Sequence, residues 1–147
     1  MVSYDSIFSS FNRIVDNSKE LATLSDKDLR GLYTERLHSV LSDNRVLSLF
    51  SSINFDDSDC NVSYSLSKPS QSSSIDDIYV IEILSLGMAI DWYSSRINNA
   101  IWGEMYWGGK EEKKIYGDPN ALRTVRDGLE VKLKKKVRDR GYYLGVL

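Results

Sequence analysis

The sequence predicts a mainly α fold: a small helical bundle around a buried central helix, with a β-hairpin or extended loop inserted at about residues 53–66 and an extended C-terminal tail. Three patterns indicate this fold. The segment from Ile78 to Tyr93 is apolar almost all the way round a helix, so that helix must be covered on most sides. Apolar residues recur at helical spacing before and after it. Between 53 and 66 they instead alternate with polar residues.

The length of 147 residues predicts one domain. We place the helical domain at residues 1–141, with the hairpin and a serine-rich linker inserted at 51–74, and the tail at 142–147. The apolar central run is shorter than the about 18 residues expected of a membrane span, and it contains two carboxylates. We therefore expect no membrane contact.

Caps and apolar stripes predict the first two helices. Ser3 is placed to cap a helix from Tyr4 to Val15, whose apolar residues share one face. Ser25 with Asp28 resembles a capping box, with Asp in place of the usual Glu, and opens a second helix. The pattern leaves open whether this helix breaks at Asp43-Asn44 or continues beyond it.

The middle of the chain is predicted as a hairpin, a linker and the start of the central helix. Alternating residues flank an acidic stretch at 56–59, which suits a turn. The serine-rich segment from Lys68 to Ser74 is typical of a flexible linker. Ser74 is expected to cap the central helix, with Asp76 and Asp77 in its first turn, where carboxylates favour the helix dipole.

Beyond the central helix, which we predict to end at Ala100, residues 101–109 are aromatic and interrupted by glycine, so we predict an exposed loop. Asp118 followed by Pro119 is a strong helix start. The last helix is basic and amphipathic, and Gly141 is expected to end it. Its apolar stripe consists of Leu122, Val125, Leu129, Leu133 and Val137.

Charge is divided unevenly along the chain. Residues 1–103 contain 8 Lys and Arg against 14 Asp and Glu, whereas residues 104–147 contain 11 against 7. This asymmetry suits head-to-tail self-association or docking on a charged partner. A solvated basic helix face explains it equally well. The single cysteine excludes a disulfide within one chain, and the first residues do not resemble a secretory signal, so we expect synthesis in the cytoplasm.

No residue pattern predicts a catalytic, metal or cofactor site, so we expect a protein that is not an enzyme. His38 is the only histidine and is expected at the surface or the core edge. Asp57, Asp59 and Asn61 match the start of a calcium loop, but the required glycine and the bidentate Glu are missing. The segment 108–110 lacks the serine or threonine and the first glycine of a phosphate loop.

Glu82 and Asp91 lie on opposite sides of the central helix, so we expect each to bind an arginine, a hydroxyl or water rather than form a carboxylate pair. The final helix also carries a basic run. We favour a solvated face or a protein interface over phosphate contact, because acidic and apolar residues interrupt the run. The run consists of Lys132, Lys134, Lys135, Lys136, Arg138 and Arg140.

Aromatic and apolar residues after the central helix and in the tail predict a protein interface, because interfaces favour such side chains. The predicted interface consists of Trp102, Tyr106, Trp107, Tyr142, Tyr143, Leu144, Val146 and Leu147.

Three stretches resemble the small head-to-tail connector (adaptor or neck) proteins of tailed bacteriophages. Residues 4–11 are similar to the family's first helix. Residues 76–93 resemble its core signature, an acidic helix start followed by a run from Glu82 through Gly87-Met88 to Trp92. Residues 108–110 and 116–122 resemble the segment before its last helix, although Gly117-Asp118 replaces the usual Ser-Pro. The resemblance covers a little under half of the chain and includes no counterpart for the serine-rich hairpin.

This resemblance implies a structural protein of the virion that forms a homo-oligomeric ring, often of twelve copies, between the portal protein and the next neck or tail protein. DNA would pass through without sequence-specific binding. An acidic lumen would repel phosphates, and Asp56, Asp57 and Asp59 at the predicted hairpin tip are candidates to line it. The alternative is a small cytoplasmic regulatory module that binds nucleic acid through the basic last helix.

Overall fold

The computed structural model describes residues 1–15, 23–107 and 118–143, and it confirms a mainly helical fold with a small three-stranded sheet. The elements are β1 (Val2–Ser3), α1 (Tyr4–Ile14), α2 (Asp26–Ser39), a 3-10 turn (Val40–Ser42), α3 (Asn44–Leu47), β2 (Phe50–Asp56), β3 (Asn61–Leu66), α4 (Ser73–Trp107) and α5 (Pro119–Tyr143). Among these described segments, none of the helices could span a lipid bilayer.

The predicted caps of α1, α2 and α5 are confirmed. The Ser3 hydroxyl accepts a hydrogen bond from the Ser6 backbone N–H at 3.2 Å, and the Ser25 hydroxyl accepts one from Asp28 at the same distance. The Asp118 carboxylate accepts from the Asn120 N–H at 3.1 Å. Each cap satisfies a backbone donor that the first helical turn leaves free, which is why short polar side chains fix these starts.

Helix α2 does not continue past Asp43-Asn44 into α3, which resolves the alternative that the sequence left open. The Asp43 carboxylate accepts from the Arg45 backbone N–H at 2.9 Å and also binds the Arg45 guanidinium. Asp43 thereby caps the separate short helix α3.

The predicted hairpin is confirmed as β2 and β3, which pair antiparallel with Ile53 opposite Tyr64 and Phe55 opposite Val62. The sheet also contains β1, which the sequence analysis missed because two residues are too few to show alternation. The strand order is β1-β3-β2. Cys60 adopts a φ of 55° in the turn, and its carbonyl accepts from the Tyr4 N–H at 2.8 Å, which joins the hairpin to the start of α1.

Helix α4 is the centre of the core, as predicted. Val80, Ile83, Leu84, Met88 and Ala89 have essentially no exposed surface, and α1, α2 and α5 pack around them. Burial of each large aliphatic side chain contributes about 1.5–3 kcal/mol. The chain itself therefore covers the middle of this helix, so its apolar character does not by itself require a neighbouring subunit.

Several predicted boundaries are wrong. Helix α4 begins at Ser73, and the Ser72 carbonyl accepts from the Asp76 N–H at 3.2 Å, so Ser74 lies inside the helix and is not its cap. The helix then continues to Trp107, through the segment predicted as a loop. A glycine inside a helix costs only about 1 kcal/mol, so Gly103 does not have to end it.

Two predictions for α5 are also wrong. The helix passes Gly141 and includes Tyr143, the last residue that the structure describes, because glycine permits a helix end without requiring one. Val125, predicted on the apolar stripe, is exposed, whereas Leu133 is fully buried. The stripe therefore buries its C-terminal part more deeply than its start.

Candidate interaction surfaces

A buried ion pair joins the start of α4 to the end of α5. The Arg140 guanidinium lies 2.9 Å from the Asp76 carboxylate, and both side chains are about nine-tenths buried. Arg140 also donates to the Lys68 carbonyl at 3.0 Å, and its guanidinium lies 4.3 Å from the centre of the Tyr79 ring. The Ser70 backbone N–H donates to both Asp76 oxygens at 3.1 Å.

These contacts hold the segment before α4, which therefore differs from the flexible linker expected. Burial acts to raise the pKa of Asp76, but the hydrogen bonds from Arg140 and Ser70 outweigh it and hold the pKa below its usual value. The charged form of Asp76 is thus the stable one, and its loss would leave Arg140 buried without a counter-charge.

Arg140 does not belong to a solvated basic face, so that prediction is wrong for this residue. Leu133, Val137 and Arg140 follow one another at spacings of four and three, which places all three on the buried side of α5. That spacing was the sequence signal that could have identified Arg140. Lys136 also contacts α4, where its ammonium lies 2.5 Å from the partly exposed Glu82 carboxylate.

The remaining basic residues of the run, and the apolar side chain that precedes them, face outward. Val131 is 65% exposed. The outward cations are Lys132, Lys134, Lys135 and Arg138. This outward basic face of α5 agrees with either a solvated surface or an interface.

A cavity of about 180 Å³ lies where the base of the hairpin meets the end of α5. Its apolar lining comes from Leu49, Leu66 and Val137. Leu47, which precedes the lining residue Ser48 in the sequence, is 43% exposed. The full lining consists of Ser48, Leu49, Leu66, Ser67, Lys68, Val137, Arg138 and Arg140. Sequence analysis missed this cavity, because its walls come from three segments that are distant along the chain.

The acidic tip of the hairpin is tied to the helices. The Asp57 carboxylate accepts a hydrogen bond from the Tyr4 hydroxyl at 2.5 Å and lies 2.9 Å from Nε2 of His38. The His38 ring packs edge-on against Phe55, and its side chain is 43% exposed, so its predicted place at the core edge is confirmed. Asp56 accepts from two backbone N–H groups of the turn.

The hydrogen bonds of the cluster at the hairpin tip mainly hold the fold together. Burial raises the pKa of the Tyr4 hydroxyl, and the hydrogen bond to Asp57 raises it further. The same bond, followed by that from His38, lowers the pKa of Asp57. Tyr4 therefore stays protonated and Asp57 charged, which strengthens the link between α1 and the turn. Within the described part of the chain, no group of three or more His, Cys, Asp and Glu side chains could hold a metal ion.

Glu82 and Asp91 of α4 bind separate partners and do not pair with each other, as expected, although the partner of Glu82 is a lysine and not the predicted arginine, hydroxyl or water. Asp91 lies 2.9 Å from the Arg36 guanidinium on α2, and Glu82 binds Lys136. They fasten α4 to two different helices.

The predicted aromatic interface falls largely outside what the structure describes. Trp102, Tyr106 and Trp107 lie within α4, and Tyr142 and Tyr143 within α5, but their side chains are outside the described part. The tail residues Leu144, Val146 and Leu147 and the segment 108–110 are outside the described residues.

No family model, curated protein or solved structure matches the chain.

Proposed function

We propose that this chain is a virion structural protein of a tailed bacteriophage, a connector (adaptor or neck) protein that forms a ring, expected to hold twelve copies, between the portal protein and the next neck or tail protein. It joins rings by the fit of its surfaces and performs no catalysis. The segment that carries the closest resemblance, residues 76–93, supports the proposal because it supplies the helix on which the whole core is built.

The described surfaces are compatible with this role. The outward basic face of α5 and the acidic residues near the hairpin tip give a subunit two differently charged regions, which suits a ring whose subunit contacts and lumen lie on different surfaces. Asp59 is exposed and is the proposed lumen carboxylate most available to face DNA, since Asp56 and Asp57 also form hydrogen bonds that hold the turn. A lumen lined with carboxylates would let DNA pass without binding it.

The direct test is genetic. A stop codon early in this reading frame, in the virus that encodes it, should leave filled heads and separate tails in electron micrographs of the lysate. Mass spectrometry of purified wild-type virions should detect the chain in a fixed ratio to the portal protein. Infectious virions formed without this protein, or its absence from purified particles, would contradict the proposal.

A second candidate is a small regulatory module that binds nucleic acid through α5. The outward orientation of Lys132, Lys134, Lys135 and Arg138 favours it. Each phosphate contact lowers the logarithm of the binding constant by about 0.9 per logarithmic unit of salt. A steep salt dependence of duplex DNA binding by the purified chain would support this candidate, and affinity too weak to measure at low salt would exclude it.

A further inference from the structure

The cavity beside α5 has the size and polarity of a site for one branched aliphatic side chain next to negative charge. Its volume of about 180 Å³ is close to the roughly 150 Å³ of an apolar cavity that accommodates benzene. Leu49, Leu66 and Val137 give it an apolar wall, and its lining among the described residues includes no carboxylate.

The rim of this cavity is cationic. Arg140 is neutralised by Asp76, but Lys68 and Arg138 also line the opening, and the Arg138 side chain is 73% exposed. Asp139 offsets part of the Arg138 charge at 3.0 Å, while the exposed Lys134 lies one helical turn before Arg138. An acidic segment with an aliphatic anchor would therefore match the cavity in both respects.

The chain carries one such segment on its described surface, at the start of α2. Leu24 is 36% exposed and is followed by the exposed carboxylates of Asp26 and Asp28. Neither carboxylate forms an ion pair with any residue that the structure describes. The acidic residues near the other exposed apolar side chains already form ion pairs within the chain. Beside Ile75, for example, Asp76 pairs with Arg140.

We infer that this cavity receives the segment 24–28 of a second copy of the chain, with Leu24 in the apolar space and Asp26 and Asp28 facing Lys68 and Arg138. The cavity and the inserted segment are different surfaces, so the contact is heterologous and can repeat from copy to copy. The inference deepens the proposed ring assembly, and it rests on that proposal only for closure of the ring.

The test measures the mass of the full-length chain by analytical ultracentrifugation over a concentration series that reaches the millimolar range. We expect the wild type to associate, and Arg138→Glu to weaken the association about tenfold or more by placing a carboxylate opposite Asp26 and Asp28. Lys132→Glu is the matched control, since it makes the same charge change at an exposed position of α5 that does not line the cavity. Unchanged thermal unfolding would show that both variants fold.

A mixture of two variants tests whether the two surfaces are complementary. Arg138→Glu and the double variant Asp26→Lys/Asp28→Lys should each associate about tenfold or more weakly alone than the wild type, because each places like charges opposite one another. Their mixture should associate, because each contributes one intact surface.

Four outcomes would overturn the inference: a wild type that stays monomeric, association that Arg138→Glu leaves unchanged, a mixture that stays monomeric, or an Arg138→Glu effect confined to DNA binding. If Arg138→Glu leaves ring assembly on the portal unchanged, this inference is wrong and the proposed function still stands. If the chain associates through Arg138 but is absent from virions, this inference stands and the proposed function is wrong.

Discussion

Replacing Gly87 with alanine should destabilise the fold, although alanine is the better helix former. A Cβ atom at Gly87 would lie 2.6 Å from Cγ1 of Val40 and 3.1 Å from its Cγ2. Ordinary contact begins at 3.4 Å, so α4 and the 3-10 turn would have to separate by about 0.8 Å. Val40 is almost fully buried and its branched side chain is stiff about χ1, so it cannot simply rotate away.

The magnitude follows from two opposing effects. Overpacking a buried contact costs about 1–3 kcal/mol, and the change from glycine to alanine inside a helix returns about 1 kcal/mol. We therefore expect Gly87→Ala to lower the free energy of unfolding by up to about 2 kcal/mol. At Gly31 and Gly128 the new Cβ would meet open space, so Gly31→Ala and Gly128→Ala should each raise it by about 0.5–1 kcal/mol.

The assay is urea unfolding followed by far-UV circular dichroism, with a double-mutant cycle that adds Val40→Ala. Val40→Ala alone should cost about 2 kcal/mol, from two lost methyl groups and the cavity that they leave. In the double variant the clash is gone, and the methyl group introduced by Gly87→Ala fills part of that cavity. The stability lost in the double variant should therefore be smaller than the sum of the two single losses by about 1–2 kcal/mol. Additive costs, or a Gly87→Ala variant that gains as much stability as Gly31→Ala, would refute the close-contact argument.

Three further predictions concern ionisable groups. Arg140→Met should cost about 3–5 kcal/mol at neutral pH, because it leaves the Asp76 carboxylate buried without its partner, and the double variant with Asp76→Asn should recover part of that loss in urea unfolding. In the wild type the lowered pKa of Asp76 adds stability above the ordinary carboxyl pKa of about 3.9, and that stability should disappear as the pH falls further; an Arg140→Met variant with an unchanged acid limb would contradict this. Burial raises the pKa of Tyr79 to about 12, so its phenol should ionise later than a free tyrosine in an ultraviolet titration, and its contribution to stability should be present below pH 10 and be lost between about pH 10 and 12. Tyr4→Phe should return the pKa of Asp57 towards its usual value in an NMR titration of the carboxyl carbon, since the Tyr4 hydrogen bond is the main cause of the lowered value; an unmoved titration would show that His38 is sufficient.

The sequence by itself determined the fold class, most helix starts and the hairpin. These features depend on local physics: a short polar side chain beside free backbone N–H groups marks a cap, and the period of apolar residues distinguishes helix from strand. Ser3, Ser25 and Asp118 were predicted as caps and act as caps. The nearly continuous apolar run predicted that α4 would be buried, without information on which elements cover it.

Only the tertiary structure decided which side chains meet across the chain. Asp76 and Arg140 form an ion pair across 64 sequence positions. Asp57 at the hairpin tip and Tyr4 share a hydrogen bond across 53 positions. No local pattern specifies such pairs, because they depend on how the helices cross and on which face of each helix turns inward. The helix ends predicted at Ala100 and Gly141 were wrong because glycine is only a weak local signal, whose cost of about 1 kcal/mol the rest of the fold can outweigh. The cavity beside α5 needed the assembled fold for the same reason, since its walls come from three separate segments.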